Sequence, residues 1–169
     1  VRLSERRGAV IFTQKRTDEK QEFISRVNRI FFQRFGIEMK ERIKHTISNI
    51  RGREISGTAS DFISTRKAPA KALLDTRNNL VNWVLSLDEL STLNFLAGAI
   101  DGDGAIADQR LQLYAGKDYV LQAVVVACLK LGIVPQVTTN RTIHNIQIVE
   151  RVHDILQFTS RVKFLQREK

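Results

Sequence analysis

Asp101 and Asp103, set in the run Asp101-Gly102-Asp103-Gly104, are the side chains of this 169-residue chain best suited to chemistry. Carboxylate and carbonyl oxygens are the hard ligands that Mg²⁺ prefers, with water and phosphate filling its remaining positions. The same four residues also occur as simple turns, or open a twelve-residue calcium loop. A calcium loop starting at Asp101 needs an acid at 105 and Glu at 112; the chain has Ala105 and Gln112, which excludes it.

The element that must position these acids is a helix. Ser86 and Glu89 have the S-x-x-E spacing of a capping box, so the helix is expected to start near Leu87, with Asp88 and Glu89 favoured by the positive end of its dipole. Leu90, Leu93, Ala97 and Ile100 recur at helical spacing. Gly98 and Gly102 stand four apart, a pairing that weakens a helix unless another backbone comes close. Gly102 and Gly104 are stop signals, so the helix should end between Asp101 and Asp103 and pass to a strand near Ala105. Asp103 then meets the carbonyl end of the helix, which carries roughly half a negative charge. A divalent cation relieves that conflict.

The nine residues Leu96-Ala97-Gly98-Ala99-Ile100-Asp101-Gly102-Asp103-Gly104 resemble the motif of the LAGLIDADG homing endonucleases, the intron- or intein-encoded type found in archaea and organelles. They depart from it only at Ala99, where the motif has Leu, and Gly102, where it has Ala. The resemblance implies that Asp103 is an acidic metal ligand for Mg²⁺ or Mn²⁺, assisted by the Gly102 carbonyl. It also implies that Ala97, Gly98, Asp101 and Gly102 form a helix interface, with Asp101 structural rather than catalytic.

Composition agrees with a folded protein that binds a polyanion. The chain is 43% hydrophobic, with net charge +9 and an isoelectric point near 10.1. Residues 1–87 hold 18 Lys and Arg against 9 Asp and Glu, whereas residues 88–169 hold 9 of each, so the excess lies in the first half. The single cysteine, Cys128, sits in an apolar run and reads as a buried small hydrophobe. The absence of a disulfide framework, a signal peptide and a membrane-length apolar run makes the expected location intracellular, in cytoplasm, nucleoid or organelle matrix, with no membrane partner.

The expected class is α+β. Residues 88–169 read as motif helix, two strands, a helix over Asp118–Leu131, two strands and a helix over Glu150–Phe164. This αββαββα order is the half-unit of the family that the motif resembles. Residues 1–87 read as a basic partial copy: a strand over Gly8–Gln14, a helix over Asp18–Phe35 with Phe23, Val27, Ile30 and Phe31 on one face, a hairpin turning at Arg51-Gly52, and a short helix interrupted at Pro69. No motif helix or first strand is expected ahead of it.

A sheet covered by helices on one face offers its other face to duplex DNA, where amide, hydroxyl and guanidinium groups reach base edges. Arg110, Gln112, Tyr114, Gln136, Thr138, Asn140, Arg141, Asn145 and Gln147 are candidates in the second half, and Arg42, Lys44, Arg51 and Arg53 in the basic first half. The resemblance further implies that Gln14 and Lys15 at one strand end, and Lys117 at the corresponding place in the second half, stand beside scissile phosphates. His45, His144 and His153 lack metal-ligand spacing and read as structural.

The function implied is site-specific, Mg²⁺-dependent double-strand DNA cleavage in intron or intein homing, leaving short 3′ overhangs. One motif supplies one acid, so a homodimer through the motif helix is expected, the other possibility being a shortened double-motif protein. Two other classes stay open: an RNA maturase that binds intron RNA to assist splicing, and a non-catalytic DNA-binding regulator.

Overall fold

The computed structural model describes residues 2–4, 8–50, 52–107, 110–140 and 143–149. The chain divides into two compact units, Val1–Asn78 and Asn79–Lys169.

The first unit runs β1 (Arg2–Ser4), β2 (Ala9–Lys15), a 3-10 turn (Asp18–Lys20), α1 (Gln21–Phe35), β3 (Lys40–Ile50), β4 (Arg53–Ser64) and α2 (Lys67–Asn78). Its antiparallel sheet has the order β1-β2-β4-β3. Strand alternation divides its faces. Val10 packs with Phe31 and Ala70, and Phe12 with Ile24 and Phe62, under the helices; Ile11, Thr13 and Lys15 take the opposite face. Ile30, expected on the buried face of α1, is half exposed, and Ile24 is buried in its stead. Pro69 lies in the first turn of α2, where its missing N–H has no helical partner to lose, so it helps start the helix instead of interrupting it. The strand expected to be missing is present: β1 pairs Arg2 with Ile11 and Ser4 with Ala9.

The second unit runs α3 (Leu80–Ser86), α4 (Glu89–Asp103), β5 (Gly104–Ala107), β6 (Arg110–Ala115), α5 (Asp118–Lys130), β7 (Gln136–Asn140) and β8 (Ile143–Val149). Its sheet order, β5-β6-β8-β7, repeats that of the first unit strand for strand. The helix expected over Glu150–Phe164 lies outside the described residues, as do Arg51, Arg141 and His153. Helix α3 belongs to the second unit, which starts at Asn79 and not at 88. Val84 is enclosed in that unit's core with Leu80 and Val81 packed against it, and Lys130 Nζ donates to the carbonyls of Val84 (2.9 Å), Leu85 (2.8 Å) and Leu87 (2.5 Å), putting a cation on the negative end of α3. The core gathers Val84, Leu96, Ile100, Leu113, Val124, Cys128 and Ile146. Burial pushes the Cys128 thiol up to about 12, which keeps it protonated and inert at neutral pH.

Helix α4 passes to β5 without a loop. A Cβ on Gly104 would lie 2.5 Å from the Ile100 carbonyl oxygen and 2.8 Å from its Cα, so only glycine lets the chain turn there. Gly98 and Gly102, for which a close backbone was expected, meet nothing within 4 Å of the same construction. These differences predict opposite effects. Gly104→Ala should destabilise the protein by about 2 kcal/mol or more through overpacking against backbone. Gly98→Ala should be neutral or stabilising by about 0.5–1 kcal/mol through helix propensity. Urea midpoints of the two variants measure both effects, and equal midpoints would contradict the assignment.

Candidate functional site

Helix α4 is started by Asp88, not by the expected Ser86–Glu89 box. The Asp88 carboxylate accepts from Ser91 N at 2.7 Å, and its carbonyl accepts from Thr92 Oγ1 at 2.7 Å, while Ser86 Oγ donates back to the Trp83 carbonyl. Thr92, Leu93, Leu96, Ala97, Ile100 and Asp101 turn into the unit. Ala97 and Asp101, expected at a helix interface, are therefore enclosed by their own unit. The opposite stripe, Leu90, Asn94, Gly98 and Gly102, is exposed, and Leu90, expected inside, is 68% accessible. Leucine at one end and glycine at the other leave a shelf on which a second helix could approach closely.

Asp103 is exposed at the last residue of α4. The last carbonyls of a helix have no intrahelical donors, so the carboxylate stands among oxygen acceptors, an all-oxygen donor set that suits Mg²⁺ or Mn²⁺. Among the described residues no group of three or more His, Cys, Asp or Glu could hold a metal. Among the described residues this helix end offers one carboxylate with nearby carbonyls, a donor set that leaves most of a cation's positions to other oxygen ligands. Lys117, exposed at the cap of α5, follows β6 past Leu113, the residue that pairs with Gly104. Asp103 and Lys117 accordingly lie toward the same end of the second sheet.

The open face of that sheet is polar and ordered by register. Gln112, Gln147 and Gln136 form one cross-strand row; Tyr114, Asn145 and Thr138 form the next; Asn140 stands opposite Ile143. Gln112 Oε1 accepts from Tyr114 Oη at 2.9 Å and from Asn145 Nδ2 at 3.1 Å. The side-chain oxygens of Asn145 and Gln147 are shielded from solvent and make no hydrogen bond among the described residues. Arg110 begins β6. On the covered side, His144 is structural: Nδ1 lies 3.0 Å from Thr139 Oγ1 and Nε2 lies 2.9 Å from Asp118 Oδ1, tying β7 and β8 to the start of α5.

In the first unit Gln14 and Lys15 part company. Gln14 pairs with Ser60 on the face shared with Phe12, whereas Lys15 pairs with Ala59 on the open face, so the two lie on opposite faces at the end of β2. Lys40, Arg42 and Lys44 share the open face with Lys15. Arg53 opens β4 and pairs with Ile50. The ribbon of β3 and β4 runs on beyond Lys15, the last residue of β2 to pair with β4, as a two-stranded projection. Sequence reading missed Asp61, a 3% exposed carboxylate in the central strand; an acid inside a β-forming run was the available signal. It also missed Thr13, which donates to Asp61 Oδ1 at 2.7 Å, and the role of Lys130.

No family model matches the chain. A probable phosphoenolpyruvate synthase of Methanocaldococcus jannaschii is 28% identical over 164 residues, covering 91% of this chain; the chain spans only 12% of that protein. Among solved structures, the homing endonuclease I-DmoI is similar in several forms. In complex with DNA and Mn it gives a TM-score of 0.63 at 16% identity, covering 91% of this chain and 80% of that one. Its mesophilic variants give 0.65 at 12% identity, covering 93% and 82%. The complex with DNA and Ca gives 0.64 at 13% identity, covering 91% and 74%. The mixed α/β chain with two antiparallel sheets therefore has the homing-endonuclease fold. Among the described residues no helix is long and apolar enough to cross a membrane.

The cap of α4 carries a pH signature. The Ser91 backbone N–H, then its side chain, and the charge of Lys130 hold the Asp88 carboxyl below its ordinary 3.8. A carboxyl lowered by folding contributes stability that is complete above its unfolded pKa and lost as pH falls through the folded one. Melting temperatures between about pH 6 and pH 2.5 should fall less steeply for Asp88→Asn, which caps the helix without titrating. Identical acid profiles for the two proteins would refute the assignment.

Proposed function

We propose that this chain is the DNA-cleaving module of a mobile genetic element, a site-specific, Mg²⁺-dependent endonuclease acting in homing. The observation that carries the reading is Asp103, an exposed carboxylate at the end of a helix whose other exposed residues include Gly98 and Gly102, on a homing-endonuclease fold. The 12% match inside a protein named for another activity favours an in-frame insert, hence intein homing over intron homing. The DNA and divalent ions of the I-DmoI structures support the choice of partner and cofactor.

In this reading Asp103, with the Gly102 carbonyl, holds the cation at the open end of α4. Bound there, Mg²⁺ would supply a lowered water pKa and charge neutralisation at the phosphate. Lys117 and Lys15 offset phosphate charge at their strand ends. The amide rows of the second sheet read base edges. Arg42 and the projecting ribbon extend the contact along the duplex, and hydrolysis leaves short 3′ overhangs.

Cutting both strands takes a second acid, and two routes supply it. A second copy can bring its α4 against the Leu90–Gly102 stripe, giving a homodimer. Alternatively a helix of a longer polypeptide leads into β1, as α4 leads into β5; the strand-for-strand repeat of the sheets favours this arrangement.

Asp103→Asn should lower Mg²⁺-dependent cleavage by more than about 10²-fold while leaving target affinity within a few-fold. Undiminished cleavage would overturn the mechanism. Sedimentation of the 169-residue chain on a target selected from a randomised duplex library separates the two routes. Two chains per duplex with cleavage support the dimer; one chain that binds without cutting supports the helix in cis; one chain that cuts both strands refutes both.

A further inference from the structure

Asp61 is an anomaly on the open face of the first sheet. It lies in β4, the strand flanked by both β2 and β3, with Thr13 opposite on one side and Arg42 on the other. Only 3% of it is exposed, although no helix among the described residues covers that face. A carboxylate enclosed in this way is unfavourable unless it is paired and hydrogen-bonded, and both conditions are met. Thr13 Oγ1 donates to Oδ1 at 2.7 Å, and the ammonium of Lys44 forms an ion pair with Oδ2. Lys44 stays partly accessible, at 32% of its side chain. Its charge is already balanced, and its position is fixed by a partner that is itself fixed by Thr13.

A lysine that serves phosphate needs neither property. Phosphate affinity comes from unbalanced positive charge that displaces counterions, and a mobile ammonium suits it. A lysine held by a neutralising carboxylate brings little net charge to the duplex but presents its remaining N–H donors in one place. Resting on the DNA-binding reading above, we propose that Lys44 is a base-reading residue, positioned by Asp61 and Thr13, and that it selects guanine. Guanine is the base that offers two acceptors, N7 and O6, side by side in the major groove; adenine places an N6 donor where the second acceptor would be. Lys44 is therefore a specificity determinant and not one of the cations that set general affinity.

The test compares the unsubstituted chain with Lys44→Met and Asp61→Asn, measuring base preference at each target position and the dependence of Kd on salt. Lys44→Met is expected to erase a guanine preference at one position, with a loss of about 5- to 150-fold on the selected duplex and little change on a duplex altered there. Its salt slope should stay unchanged. Asp61→Asn releases Lys44, so preference at the same position should relax while affinity for unrelated duplex and the salt slope both rise. A uniform loss of affinity over all sequences in Lys44→Met, with the slope reduced by about 0.9, would make Lys44 a phosphate contact and overturn the proposal. Unaltered base preference with only a lowered melting temperature would make the pair structural and overturn it equally. Should either single variant fail to fold, the double variant Lys44→Met/Asp61→Asn, which removes both charges of the pair together, decides the question by the same base-preference and salt readouts. An unsubstituted chain that binds no duplex in a sequence-dependent way would remove the DNA reading itself, and this assignment with it.

Discussion

The arrangement of the second unit depends on the contact of Gly104 with the Ile100 carbonyl. Because the chain leaves α4 and enters β5 in a single residue, the last turn of the helix and the first pair of the sheet are one rigid piece. Gly104 pairs with Leu113, and the next residue, Ala105, with Gln112. The junction thus fixes at once the place of Asp103 and the register that aligns the polar residues of β6 with those of β8 and β7. A slip of one residue would turn Gln112 and Tyr114 into the core and Leu113 outward. A loop of even two residues would uncouple the carboxylate from the sheet. The glycine is a condition of the site although it binds nothing.

The same junction explains which parts of the molecule were legible in the sequence. The motif run showed where a helix stops and a strand starts, since Gly104 has no alternative reading once Asp103 ends a helix. Its inward face was harder to read because that face includes Thr92 and Asp101 while Leu90 lies outside, so hydrophobicity alone turns the helix by part of a revolution. The helix start was misplaced by a competing signal: Ser86 and Asp88 are both good caps, and Ser86 is engaged with the Trp83 carbonyl by the preceding helix. Strand β1 has three residues, fewer than a period-two pattern needs to show itself. The unit boundary at Asn79 reflects tertiary contacts without local trace, the packing of Val84 into the second core and Lys130 reaching back more than forty residues to the end of α3. Alternation alone could have separated Gln14 from Lys15, which cannot share a face of one strand.

The two sheets have one order and one kind of open face, yet they organise it by different chemistry. In the central strand of each, a polar residue ties its neighbours together: Asp61 joins Thr13 and Lys44, and Asn145 donates to Gln112. In the first sheet the central group is an acceptor that is used up by its neighbours, and what faces outward is the donor it holds. In the second, Asn145 donates to Gln112, and the side-chain oxygens of Asn145 and Gln147 are shielded from solvent. One topology is thus tied across its strands by an ion pair in the first copy and by an amide-to-amide bond in the second.

That difference extends over the two faces. The first sheet presents the cations Lys15, Lys40, Arg42 and Lys44, whereas the cross-strand rows of the second are neutral amides and hydroxyls. The excess positive charge of the first 87 residues agrees with this division. Surface charge is screened by salt whereas hydrogen bonds between neutral groups are not, so the two copies of one topology offer surfaces that respond differently to ionic strength.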